Sequence, residues 1–377
     1  MRPIYLDYNA TTPIDPEVAA AMLPYIREHF GNPSSSHEYG RRAKEAVEIA
    51  RGQVAGLLHC RPAEIVFTSG GTESNNQAIK GAARYCRSGA SHIITSAFEH
   101  PAVTEVCESL AAEGFNITYV PVDAQGIIDL ETLEKVITER TLLISVMHAN
   151  NEVGTVQPIG EIVRMARSRG VLVHTDAAQS VGKIAVDVGE LGVDLLTVAG
   201  HKLYAPKGVG ALYVREGVSL EKFMHGAGHE QGRRAGTENV IGIAGLGMAC
   251  EVAGRDLKAN GDVMRRTRDR LQEGLLRSIA DVRMNGHPEK RLPNTLSASF
   301  KGIDAGVLLQ QMQGLAASAG AACHGDSVEL SRTLRAMEIP VEWARGTIRL
   351  SMGKYTTEGE IDRAIEIIAG TVRRLKS

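Results

Sequence analysis

Lys202 closes the run Val198-Ala-Gly-His-Lys202, directly after an apolar, strand-like stretch. An amine at a strand end with an apolar approach has its pKa lowered and can condense with a carbonyl. Read alone, such a lysine is more often a plain surface residue. Asp176, in Val171-Leu-Val-His-Thr-Asp-Ala-Ala-Gln179, also sits at the end of a strand-like run, where open α/β sheets bind ligands. Its carboxylate could keep a cationic ring nitrogen protonated, or it could merely cap the next helix. The run Thr68-Ser-Gly-Gly-Thr-Glu-Ser-Asn-Asn76 follows a strand and opens a helix. Glycines there let the backbone approach an anion, and a helix start offers free N–H groups to a phosphate. The run is neither a Walker loop nor a GxGxxG fingerprint, and on its own it could be an ordinary strand-to-helix turn. Together, a phosphate cradle, a carboxylate for a pyridinium and an amine for an aldehyde are the parts that pyridoxal 5′-phosphate (PLP) requires.

A fourth candidate is Cys323, in Ala317-Ser-Ala-Gly-Ala-Ala-Cys-His324. A buried structural thiol is the usual alternative. Here the neighbours are too small to look like core, and a loop could carry the thiol to the cofactor. Thiolate character governs its reactivity, which His324 could raise. The remaining cysteines, Cys60, Cys86, Cys107 and Cys250, read as structural. Their scatter and the absence of a CxxC spacing argue against a disulfide framework and a zinc site, and for a reducing cytoplasm.

The elements that must position these residues alternate. Strand-like runs at 64–68, 92–95, 116–120, 141–146, 171–174, 195–198 and 210–214 are separated by amphipathic stretches such as 130–137 and 162–169. That alternation implies crossover units and a mostly parallel sheet covered on both faces. The pattern fades near residue 255. A charged helical segment (256–279) follows, then strand-like pieces at 296–300 and 347–352. A last helix opens on a Thr357/Glu360 capping box, with Ile361, Ala364, Ile365, Ile368, Val372 and Leu375 as its apolar stripe. We expect a large PLP-binding α/β domain (13–255) and a smaller α+β domain (1–12 plus 256–377) carrying the Cys323 loop. The formal net charge of −2 gives no electrostatic reason to expect nucleic acid or an anionic membrane as partner. No apolar run reaches the length of a bilayer span, and the first residues lack a secretory h-region, so a cytoplasmic protein is expected.

Read together, these motifs resemble the cysteine desulfurases of the NifS and IscS type and the selenocysteine lyases. These are class V aminotransferase-like enzymes with the fold-type I, aspartate aminotransferase-like PLP fold. The resemblance also rests on Tyr5-Leu-Asp-Tyr-Asn-Ala-Thr-Thr-Pro13, Phe30-Gly-Asn-Pro-Ser-Ser35, Ala149-Asn-Asn-Glu-Val-Gly154, Arg234-Ala-Gly-Thr-Glu-Asn239, Leu292-Pro-Asn-Thr295 and Ile348-Arg-Leu-Ser351, so it covers nearly the whole chain. It implies that Lys202 carries the cofactor, that Asp176 pairs with the pyridine nitrogen, and that His100 stacks on the ring and helps move protons. It places Gln179 and Asn151 near the ring oxygen and the substrate, with Asn9 also on the substrate side. Gly71, Thr72 and His201 would hold phosphate, and Thr237 would do so from the other subunit of a homodimer. Arg349 would clamp the substrate carboxylate, a task suited to a guanidinium. Taken singly, His100 could merely pack, His201 could be a satisfied polar residue and Arg349 a surface ion pair.

The implied reaction removes selenium or sulfur from L-selenocysteine or L-cysteine and leaves L-alanine, with Cys323 as chalcogen acceptor or acid. Two departures tip the reading towards a selenocysteine lyase. Gly320-Ala-Ala-Cys-His324 resembles the vertebrate lyases, and Ala199 stands where desulfurases carry a serine that bonds phosphate. The alternative is a cysteine desulfurase that supplies persulfide sulfur for Fe–S or thio-cofactor assembly, handing it to an acceptor protein. A sulfur-delivery scaffold with weak turnover and a PLP aminotransferase are the remaining readings. Lys202, Asp176 and Cys323 together speak against the first, and the Cys323 loop against the second.

Overall fold

The computed structural model describes residues 3–85, 89, 91–324 and 327–377; Cys86 and the side chains of residues 321–329, Cys323 and His324 among them, lie outside the described residues. After a short first strand, β1 (Ile4–Tyr5), the chain lays down β2 (Ile65–Thr68), β3 (His92–Ser96), β4 (Asn116–Val120), β5 (Thr141–Ser145), β6 (Leu172–Asp176), β7 (Leu195–Ala199) and β8 (Gly210–Val214). β2 to β8 form one seven-stranded sheet in the order β2-β8-β7-β6-β5-β3-β4. Its centre is parallel, while β8 runs antiparallel to both β7 and β2. These are the seven strand-like runs of the sequence, with ends shifted by a residue or two. Leu142, Leu143 and Ile144 on β5 are all buried, as continuous apolar runs must be when helices cover both faces.

The later strands are β9 (Val282–Asn285), β10 (Thr295–Phe300), β11 (Leu315–Ala316), β12 (Ser318–Ala319), β13 (Ala321–His324), β14 (Ser327–Leu330) and β15 (Thr347–Ser351). β12, β15, β10 and β9 make a four-stranded antiparallel sheet, β13 and β14 pair as a hairpin, and β1 returns to pair with β11 in parallel. A second hydrophobic core lies under this sheet. It gathers Ile4 and Leu6 from the N-terminus, Leu296 and Phe300 from β10, Ile348 and Leu350 from β15, and Ile361 and Ile368 from the last helix, Glu358–Lys376. That helix has the expected capping box, with Thr357 Oγ1 accepting from the Glu360 N–H and Glu360 Oε2 from the Thr357 N–H.

Where the apolar alternation fades, one helix of 39 residues, Val240–Ser278, runs straight through. Its first half buries Ile243, Leu246 and Cys250 in the core around the seven-stranded sheet; its second half buries Leu271 and Leu275 in the other. A continuous helix shared by two cores leaves no composition break, so a boundary at residue 255 falls within regular structure. Among the described residues no helix is long and apolar enough to cross a membrane.

Candidate active site at the ends of the parallel strands

β2 ends at Thr68, and the chain turns through Gly70 (φ +148°) into the helix Gly71–Tyr85. The turn lies hard against β8: a Cβ on Gly210 would sit 2.7 Å from Gly70 Cα. Gly71 faces Ala199, whose Cβ would be 3.2 Å from any Cβ placed there. A larger residue at 71 would therefore intrude on the space beside the first, unpaired N–H groups of the helix.

β6 delivers Asp176 and β7 leads into the turn bearing His201 and Lys202. Asp176 is 7% exposed, and each of its oxygens is engaged. The Ala178 N–H donates to Oδ1 (2.9 Å) and Asn75 Nδ2 to Oδ2 (2.7 Å). The capping alternative is thus half true: one oxygen caps the turn and the other meets a buried amide at the cleft wall. Lys202 Nζ donates to the carbonyls of Asn9 and Ala10, both at 2.7 Å. Burial, reinforced by Arg349 and opposed by Asp176 and Asp7, pulls its pKa down to about 8. His201 Nδ1 pairs with Thr11 Oγ1 at 3.3 Å, and burial with the neighbouring Lys202 holds its pKa at about 4, so the ring is neutral. His100 caps the helix Pro101–Ala112, its Nδ1 accepting from the Ala102 N–H. Desolvation lowers its pKa against the pull of Asp176.

Arg349 comes from β15, across the cleft. Its Nη2 donates to Asp7 Oδ1 (2.9 Å) and Ser318 Oγ (3.1 Å), and its Nη1 to the Asn151 carbonyl (3.2 Å). Among the described residues its Nε is buried with no hydrogen-bond partner. Asn9 Nδ2 binds the same Asn151 carbonyl and Thr295 Oγ1, and Gln179 Nε2 donates to the Asn9 carbonyl.

Asn9, Gly71, Thr72, His100, Asn151, Asp176, Gln179, His201, Lys202 and Arg349 all line one cleft of about 370 Å³, within the range of small-molecule sites. Thr237 does not join them. It is exposed on the loop before Val240–Ser278. Sequence reading passed over Asn75, Asp7 and Lys183. Asn75 had a signal, standing one helical turn after Gly71. Asp7 and Lys183 had none, because only the folded chain brings Asp7 to Arg349 and Lys183 to Asn9.

These residues suit PLP. A helix N-terminus opening on glycine, a buried carboxylate, an amine of lowered pKa and a buried guanidinium N–H with no partner among the described residues meet in one space. Among the described residues no group of three or more His, Cys, Asp or Glu side chains could hold a metal.

Residues 4–364 match the aminotransferase class-V family. The cysteine desulfurase IscS of Pectobacterium carotovorum subsp. carotovorum is 48% identical, over 99% of this chain and 94% of its own. That of Methanosarcina thermophila is 45% identical, over 99% and 93%. A solved NifS-like protein superposes with a TM-score of 0.94 at 39% identity, covering 99% of this chain and all of the other (100%). Relatives at this identity outweigh the single-residue departures at Ala199, Ala321 and His324, and they favour the cysteine desulfurase alternative over the selenocysteine lyase lean. The chain belongs to the class-V aminotransferases, PLP enzymes of fold type I, among the NifS- and IscS-like cysteine desulfurases.

Proposed function

We propose that this chain is a PLP-dependent cysteine desulfurase that converts L-cysteine to L-alanine and passes the sulfur through Cys323 to an acceptor protein. The observation that carries the reading is the meeting of Lys202, Asp176 and Arg349 in one cleft. When bound, PLP supplies an aldehyde for an amine and a ring that takes up electrons from the substrate Cα. Gly71, Thr72 and His201 would hold its phosphate, Asp176 its ring nitrogen and His100 one ring face, with Gln179 and Asn151 at the ring oxygen. Arg349 binds the substrate carboxylate through its guanidinium, whose Nε has no partner among the described residues, and Asn9 closes that side. Lys202, neutral above a pH of about 8, is suited to take the Cα proton. Cys323 as thiolate then attacks the substrate sulfur. An S–S bond forms as the C–S bond breaks, the electron pair stays with carbon, and a proton completes the methyl group of alanine.

A homodimer, in which Thr237 would hold the cofactor phosphate of the neighbouring subunit, belongs to the same proposal; Thr237 is exposed and outside this chain's own cleft. The second core, built from Ile4, Leu6 and residues beyond 270, supports a smaller domain within 1–12 plus 256–377 beside a large one over 13–255, although the helix Val240–Ser278 is shared and Leu334, Met337, Ile339 and Ala344 pack in the first core. The test is alanine formation from L-cysteine and L-selenocysteine, side by side and anaerobically, with purified holoenzyme. Turnover of cysteine comparable to or better than that of selenocysteine is expected. Strong preference for selenocysteine with little cysteine turnover would replace the desulfurase reading with a lyase, and would give meaning to Ala199, Ala321 and His324.

A further inference from the structure

Lys183 is a second lysine, 6% exposed, set behind the cleft wall against Gln179 and Asn9 and given no task by the chemistry above. A buried ammonium is costly unless every donor direction is used. Its Nζ donates to Gln179 Oε1 at 2.7 Å and to Asn9 Oδ1 at 3.2 Å. Both acceptors belong to amides, which present an oxygen on one side and an NH2 on the other and can turn over unless something distinguishes the two. Burial lowers the pKa of Lys183 well below the usual lysine value, and even a neutral amine has two N–H groups to place; the two amide oxygens are the acceptors that receive them. With Oε1 facing Lys183, Gln179 must point Nε2 at the Asn9 carbonyl, 3.0 Å away. With Oδ1 held by Lys183 and by Asn294 Nδ2 (2.9 Å), Asn9 must point Nδ2 at Thr295 Oγ1 and the Asn151 carbonyl. The Asn9 carbonyl fixed in this way is also the one that receives Lys202 Nζ, at 2.7 Å.

We infer that Lys183 is a positioning residue for the reaction at Lys202, setting through Gln179 and Asn9 which face of each amide is presented to the cleft. The inference rests on the reading that the cleft holds PLP beside Gln179. Lys183 touches neither substrate nor cofactor in this account. It acts through the amides it orients.

The experiment compares wild type, K183M, Q179A and the double variant, each as PLP-loaded full-length protein. The readouts are the visible absorbance of the bound cofactor and separate kcat and KM values for cysteine. K183M is expected to shift the absorbance maximum and to lower kcat about ten-fold, with KM within about two-fold, as misplacement of a held group does. In the Q179A background the same substitution is expected to cost clearly less than in wild type, because the part carried by Gln179 is already lost and only the part carried by Asn9 remains. K183Q, which still has a donor, is expected to recover part of both signals, and it replaces K183M in the cycle should K183M not fold. A wild-type spectrum and kcat in K183M would overturn the inference. So would a K183M loss repeated in full when Gln179 is already gone. Failure of the PLP reading would look different: wild-type protein would then develop no visible band when PLP is added.

Discussion

Lys202, Asp176 and Gln179 reach the cleft from the ends of β6 and β7, whereas Asn9 and Arg349 reach it from the N-terminal segment and β15. On the first side each residue lies within a few positions of a strand end, so its place follows from local chain direction. The second side is assembled from segments more than three hundred residues apart. The Asn9 N–H donates to Ser351 Oγ, Asp7 bridges to Ser351 and pairs with Arg349, and β1 pairs with β11. In the proposed reading the strand-end side binds and uses the cofactor, and the assembled side, which depends on the packing of the second core, holds the substrate carboxylate.

Substitutions on the two sides should separate these tasks. The largest effect is expected from Lys202→Ala, which should lose turnover and the cofactor's visible band together; retention of either would break the assignment. Arg349→Ala should keep the band and lower kcat/KM for cysteine roughly a hundred-fold, the scale for truncating one side of a buried charged contact. Loss of the band in that variant would show that the two sides are not separable. Asp7→Asn should act in the same direction but more weakly, raising KM by about three- to ten-fold, because it loosens Arg349 without removing it. An unchanged KM would show that the 2.9 Å pair does not position the guanidinium.

Proton linkage gives two smaller tests. The lowered pKa of Lys202 means that its neutral, nucleophilic form accumulates as pH rises to about 8. The rate of PLP uptake by apoprotein should climb to that pH and then level off. A climb continuing past pH 10 would indicate an ordinary lysine. His174, fully buried between Ser145 Oγ (2.8 Å) and Thr197 Oγ1 (3.1 Å), has its pKa pushed by burial to about 4. Its folded pKa lies below its unfolded value of about 6.5. The linked stability is therefore complete above that value and is lost as pH falls through about 4. Urea midpoints should decline over this window, and His174→Gln should flatten part of the decline.

Legibility in the sequence follows the same division. The seven strands of the main sheet were readable because both faces are buried and each strand is a short apolar run. Lys202, Asp176 and the Gly70-Gly71 turn were readable because strand ends are where such chemistry sits. Arg349, Asn9 and Gln179 entered only through resemblance to a family, since nothing local distinguishes an arginine in a strand that pairs with an N-terminal aspartate. Lys183 looks like any lysine after a turn; its environment is made by Asn9, 174 residues away in sequence. The helix Val240–Ser278 hid the change of core, because a helix can hand its apolar stripe from one partner to another without a break.

The most direct measurement of the central claim, that this cleft moves sulfur from L-cysteine to Cys323, is a single anaerobic turnover followed by mass analysis of the peptide bearing Cys323. The account predicts one added sulfur on Cys323, one alanine formed per active site, and neither in Lys202→Ala. Alanine formed in full with Cys323 unmodified at every time point, and in equal amount by Cys323→Ala, would contradict it.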